Sequence, residues 1–166
     1  LYADEGGCGL YRIKEPSRVV SDAGIEVVTD DGIDAEVYVR GDKIDIQSMD
    51  TSYDIIVFQR PMSRVYVEAI KKAKSLGIAC VVELDDDIAA IHPKNRAYKI
   101  VHPQYNKESN WEYLQQCCDL ADLVTVSTKS LLNHYAKHGR GVILPNFMPQ
   151  YYFDYPIVHH DSLRVG

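Results

Sequence analysis

Apolar and polar positions along the chain alternate between two textures. The runs Ile55 to Phe58 and Ile78 to Leu84 are short, rich in β-branched residues and without alternation, as strands covered on both faces are. Between them Val65, Ala69, Ala73 and Leu76 recur at helical spacing, with Ser63 placed to cap the start and Gly77 to supply a left-handed stop. This predicts a βαβ unit. The textures repeat downstream: Trp111, Leu114, Cys118 and Ala121 mark a helical face, Leu123 to Val126 a strand, Leu131, Leu132 and Tyr135 a helix stopped by Gly139, and Gly141 to Leu144 a last strand. Upstream, Leu1 to Ala3 reads as the end of a strand, followed by a glycine turn, a helix over Leu10–Ala23 and a strand over Ile25–Val28. Pro16 is expected to kink that helix or to mark its true start. Val37 to Ile46 suggests a hairpin around Gly41 and Asp42. Strands and helices alternating at this length predict an α/β fold: a Rossmann-like, doubly wound, mainly parallel sheet with helices on both faces.

Composition narrows the class. The 166 residues suffice for one domain, and no segment approaches the ~20 apolar residues of a membrane span. With 24 acidic against 18 basic residues, a net charge of -6 and no basic run, nucleic acid and anionic membranes are poor partners. Cys8, Cys80, Cys117 and Cys118 show neither zinc-ligand spacing nor a disulfide framework, so a reducing cytoplasm is the expected setting.

In an open parallel sheet, ligands bind beyond the carboxyl ends of the strands. The residues predicted there are unusual: Asp4, Glu5, Gly6, Gly7, Cys8 and Gly9 after the first strand; Gln59, Arg60 and Pro61 after the Ile55 strand; Asp85, Asp86 and Asp87, then His92, after the Ile78 strand; and Ser127, Thr128 and Lys129, then Pro145 and Asn146, after the last two strands. Gly6, Gly7 and Gly9 allow backbone N–H groups to approach an anion at a helix start, or simply make a tight turn. Gly7, Gly9 and the acidic pair Asp30 and Asp31 partly imitate a dinucleotide fingerprint, but Arg12 occupies the place of its third glycine. The three aspartates repel one another unless a hydroxyl-rich ligand, a cation or helix N–H groups stabilise them; they are candidates for orienting sugar hydroxyls or for general-base work, against the simpler reading of a capped helix start. His92 and His102 lie in a long irregular stretch and have the pKa for acid and base work. Arg60 is placed to meet a phosphate or the aspartates. Trp111 reads as core, and Tyr151, Tyr152 and Tyr155 as cover for a crossover.

Four blocks together resemble group 1 glycosyltransferases, particularly those of phages and bacteria: Gly6-Gly7-Cys8-Gly9-Leu10-Tyr11-Arg12 with Pro16; Val81-Val82-Glu83-Leu84-Asp85-Asp86-Asp87; Ala121-Asp122-Leu123-Val124-Thr125-Val126-Ser127-Thr128 with Leu131; and Leu144-Pro145-Asn146. The resemblance implies a GT-B architecture, in which two Rossmann-like domains face each other across a cleft. Residues 1–148 would be the first, acceptor-side domain, and residues 149–166 the crossover and first strand of a donor-binding domain absent from this chain. It implies transfer of a sugar from a nucleotide-sugar donor to an acceptor, with retention as the family tendency and no obligatory metal or other cofactor. The resemblance puts the glycine loop, Gly6 to Gly9, at donor phosphate or acceptor and the turn Asp85 to Asp87 in the cleft; together with the rim reading, the candidate catalytic positions are Asp85, Asp86, Asp87 and His92, and the candidate donor- and acceptor-binding positions are Gly6, Gly7, Gly9, Arg12, Arg60, Ser127, Thr128 and Asn146. Such a half would be inactive alone and would expose its cleft face to self-association. The competing reading is a stand-alone nucleotide- or dinucleotide-binding module of oxidoreductase type, which needs the complete glycine fingerprint.

Overall fold

The computed structural model describes residues 1–3, 6–33, 35–40, 43–154 and 156. Its centre is a four-stranded parallel sheet in the order β3 (Ile55–Gln59), β4 (Ala79–Leu84), β5 (Leu123–Val126), β6 (Gly141–Ile143). The helices α3 (Arg64–Ser75), α5 (Trp111–Leu120) and α6 (Lys129–Tyr135) each connect neighbouring strands. This is the α/β alternation that the sequence texture predicts.

Register explains the core. Phe58, Val82 and Val124 stand opposite one another, as do Leu84 and Val126, and these join Ala69, Ile70, Ala73, Leu114, Cys117 and Cys118 in one buried cluster. Strand alternation turns the next row, Gln59, Glu83 and Thr125, to the other face. There Glu83 meets Arg12, so the helical segment carrying Arg12 covers the face opposite α3 and α5.

That segment is built from α1 (Gly7–Gly9), a π turn (Leu10–Lys14) and α2 (Glu15–Asp22), starting earlier than the expected Leu10. Pro16 sits in the first positions of α2, just past the π turn. Proline offers no N–H to the carbonyl four residues back and its ring would strike that carbonyl; the wider turn accommodates both effects.

Other expectations change. Ile25–Val28 forms no strand; Ile25 and Val28 are exposed, and no strand among the described residues pairs with this segment. Leu1–Ala3 forms no regular strand either, yet the Leu1 amino group donates to the Val57 carbonyl at 2.7 Å and the Gln59 N–H to the Leu1 carbonyl at 3.1 Å, so it lies along β3. The hairpin is present as β1 (Ala35–Arg40) and β2 (Lys43–Met49), an antiparallel pair packed by β2 onto α3; Gly41 and Asp42 lie outside the described residues. Ser63 precedes α3 but its side chain makes no capping bond; its backbone bridges to Ser109 instead. Gly77 and Gly139 do adopt left-handed φ of 84° and 81°. Of the helix-marking residues, Leu76 is exposed, and the buried face of α3 is Val67, Ala69, Ile70 and Ala73. The strand expected over Ser162–Gly166, with Tyr155, lies outside the described residues, as do Asp4 and Glu5. Among the described residues no helix is long and apolar enough to cross a membrane.

Candidate functional site

The carboxyl ends of the parallel strands form one rim, and the helical segment starts beside it. Leu10 N–H bonds back to the Gly6 carbonyl at 2.9 Å, so the glycine turn is the first turn of α1, where backbone N–H groups carry the positive end of the helix. Gly9 is buried, and Gly6 and Gly7 are exposed. A pocket with room for about 260 Å³ opens there, lined by Gly7, Cys8, Tyr11, Arg12, Asp85, Asn146, Phe147 and Met148. Three blocks far apart in sequence thus converge: the glycine turn, the start of the aspartate run and the Pro-Asn segment after β6.

Arg12 is the hub of this convergence, though not as an exposed anion receptor. Only 8% exposed, it donates from Nε to Glu83 Oε1 at 2.6 Å, and from Nη1 to the Leu144 carbonyl at 2.5 Å and to Asn146 Oδ1 at 3.2 Å. The guanidinium therefore ties the helical segment to β4 and to the chain after β6. It also fills the place a third fingerprint glycine would leave open, which removes the close helix–strand approach that a dinucleotide needs. Asp30, the candidate ribose ligand of that reading, accepts instead from the Asp31 and Gly32 N–H groups at 2.7 and 3.2 Å.

Glu83 was not among the residues expected from sequence to carry the site. It is 3% exposed inside β4, flanked across the sheet by Gln59 and Thr125, both buried. Burial pushes its carboxyl up to about 7 against the pull of Arg12, and nearby Asp85 adds to the push. Gln59 completes the floor: its amide donates to the Cys8 carbonyl at 2.9 Å and its oxygen accepts from Ala3 N–H at 2.9 Å, fixing the glycine turn over β3. The available signal was a charged residue inside an otherwise apolar strand, since a fully buried carboxylate is rare without a partner.

The three aspartates do different things. Asp85 lines the pocket; its Oδ1 is shielded from solvent and accepts no hydrogen bond from the described residues. Asp86 is exposed. Asp87 accepts from the Tyr135 hydroxyl at 2.9 Å, which anchors this turn to α6, and burial of Tyr135 raises that phenol's pKa. Cys8 Sγ and carboxylate oxygens of Asp85 and Asp86 lie within 4.8 Å of one another, a mixed sulfur and oxygen set on which a cation would be held if one binds here.

The remaining candidates divide. Ser127 Oγ donates to the Asp85 carbonyl at 2.9 Å, and Thr128 Oγ1 accepts from Leu131 N–H at 3.4 Å as the cap of α6; both side chains serve the framework, not the pocket. Arg60 takes a left-handed φ of 45° immediately before the buried Pro61, a strained conformation for a non-glycine residue, and its N–H bonds to the Glu83 carbonyl at 3.0 Å. His92 is exposed, accepts from Lys94 N–H at 3.1 Å on Nδ1 and does not line the pocket. His102 packs tilted or edge-on among Tyr98, Tyr105 and Trp111, with its centroid 4.5 Å from that of Trp111, so it belongs to an aromatic cluster around α4 (Tyr98–Val101).

No family model matches this chain, and neither a curated protein nor a solved structure does.

Proposed function

We propose that the chain is the first, acceptor-side domain of a GT-B glycosyltransferase, moving a sugar from a nucleotide-sugar donor to an acceptor. The observation that carries this reading is the rim pocket, in which Gly7, Arg12, Asp85 and Asn146 come from three of the four sequence blocks on which the resemblance rests. Its chemistry suits a hydroxyl-rich ligand: a helix start offers N–H donors to negative charge, while Asp85, half-buried in the pocket lining, brings a carboxylate whose shielded Oδ1 accepts no hydrogen bond from the described residues. Asp85 is the residue positioned to accept a proton from an acceptor hydroxyl, and Asp87 to hold the turn. The donor's phosphate and its counter-charges belong to a second domain, because transfer needs both substrates in near-attack geometry.

The test is product detection over a panel of nucleotide sugars and simple acceptors, with the chain alone and with a protein extended by its second domain. Transfer by the extended protein, and none by the chain alone, is the expected result. Equal transfer by both would remove the half-enzyme reading. Tight binding of NAD(H) by the chain, without transfer by either, would favour the dinucleotide module.

A further inference from the structure

β1 and β2 form a sheet of their own, and the outer edge of β1 joins no other strand among the described residues. An unpaired edge is a template for another strand, and folded proteins usually blunt it with charged side chains, proline or a bulge. Along β1 there is no proline or bulge, and the two charges, Glu36 and Arg40, are opposite and flank the apolar Val37, Tyr38 and Val39, so they suit an antiparallel copy; the irregularity in the pair falls on β2, where Gln47 is skipped between Ser48 opposite Glu36 and Ile46 opposite Val37. Val37, Tyr38 and Val39 are 36%, 60% and 66% exposed.

We propose that this edge pairs with the same edge of a second copy of the chain, antiparallel and centred on Tyr38. In that register Glu36 stands opposite the copy's Arg40, Val37 opposite its Val39, and Tyr38 opposite its Tyr38. A two-fold interface repeats each contact, so the two opposite-charge pairs and the two valine pairs arise from one short sequence read against itself. Val37 and Val39 share a face with their β2 partners Ile46 and Ile44, which pack towards the core, so pairing extends an apolar strip already begun. The other free edge is unsuited to the same role. Self-pairing of β2 about its midpoint Ile46 would set Asp45 opposite Gln47 and Lys43 opposite Met49, with no opposite-charge pair, and the skipped Gln47, whose amide already bonds Asp45, breaks the regular ladder. The edge shares no residue with the rim pocket, so the dimer leaves that site open.

One strand from each copy is a small interface, so the dissociation constant should lie in the micromolar range. Sedimentation velocity of the full chain tests this, with circular dichroism and thermal melts to verify folding of every variant. Glu36→Arg and Arg40→Glu should each weaken self-association about tenfold or more, because each converts two attractive pairs into two repulsive ones. An equimolar mixture of the two single variants should associate again, since each chain then presents only the charge the other lacks, and the double variant E36R/R40E should self-associate like the wild type. A wild-type chain that stays monomeric at about 100 μM, a dimer insensitive to either single reversal, or a mixture that fails to associate would each overturn the proposal.

Discussion

Arg12 Nε donates to Glu83 Oε1 at 2.6 Å, joining residues 71 positions apart, and both partners are more than nine-tenths buried. Glu83 holds its proton more readily in the fold than in the open chain, because burial outweighs the attraction of the guanidinium.

A pH dependence follows. The Glu83 carboxyl titrates at about 7 when folded, against 4.5 for the unperturbed group. Between these values the folded chain keeps a proton that the unfolded chain has released. Stability therefore falls as pH rises from 4.5 through 7 and levels off above it. Glu83→Gln cannot titrate and should lack this slope, gaining roughly 2 kcal/mol on the wild type between pH 5 and pH 8. Urea unfolding at both pH values measures it; equal differences at the two would contradict the assignment.

Arg12→Met should differ from a simple packing loss, whose penalty is the same at every pH. Without the guanidinium the Glu83 carboxyl moves higher still, so the penalty grows as pH rises. About 1 kcal/mol is expected at pH 5 from the lost bonds to Leu144 and Asn146, and about 3 kcal/mol at pH 8, where the fold must either hold a proton on Glu83 that the unfolded chain has released or bury its charge unpaired. A pH-independent penalty would mean that Glu83 does not titrate in this range.

The parallel strands and their connecting helices were legible because burial on both faces leaves apolar runs that no surface element has. Ile25 to Val28 reads the same way yet stays outside the sheet: apolar runs state a preference for burial, and whether a neighbour provides it depends on tertiary contacts. The rim was legible as a place, since it follows from where strands end. Roles within it were not. Thr128 and Ser127 look like ligand residues but serve a helix cap and a backbone carbonyl, and Arg12 looks like an anion receptor but is occupied inside the protein. Only the register, which sets Gln59, Glu83 and Thr125 in one row, exposes the buried polar floor.

Gly141 opens β6 where a Cβ would lie 2.5 Å from both Ala136 Cβ and Leu132 Cδ1. Leu132 has rotamers to change; the Ala136 methyl does not. Gly141→Ala should therefore destabilise by about 1–3 kcal/mol through overpacking of α6 on β6, despite alanine's better backbone entropy. A thermal midpoint equal to or above the wild type would show that α6 shifts freely.

Mg²⁺ and Mn²⁺ should bind the Cys8, Asp85 and Asp86 group only weakly, with constants no better than millimolar. Three donors, one of them sulfur, do not meet the six-oxygen preference of these hard cations. Calorimetric titration decides: a stoichiometric, submillimolar isotherm that Asp86→Asn abolishes would make the group a metal site.

Asp85 and Asp87 stand two positions apart but should separate cleanly between activity and stability. Asp87 Oδ1 accepts from the Tyr135 hydroxyl, which itself accepts from Ala89 N–H at 3.4 Å, so Asp87→Ala and Tyr135→Phe share one lost bond and should each destabilise by about 1 kcal/mol, with the double variant costing less than the sum of the two. Neither change touches the pocket lining, so, on the proposed function, transfer by the protein extended with its second domain should fall little at temperatures where the variants are folded. Asp85 has the converse environment, since the residue lines the pocket and its shielded Oδ1 accepts no hydrogen bond from the described residues. Its truncation relieves repulsion on Glu83 and leaves no donor without a partner, so Asp85→Ala should keep or slightly raise the thermal midpoint. If it accepts the proton of the attacking hydroxyl, turnover should drop about a hundredfold or more, as loss of a positioned base does. Turnover and melting temperature measured on all four variants give the answer. An Asp87→Ala enzyme that is folded but inactive, beside an Asp85→Ala enzyme that still turns over, would move the catalytic assignment from the pocket wall to the α6-anchored turn.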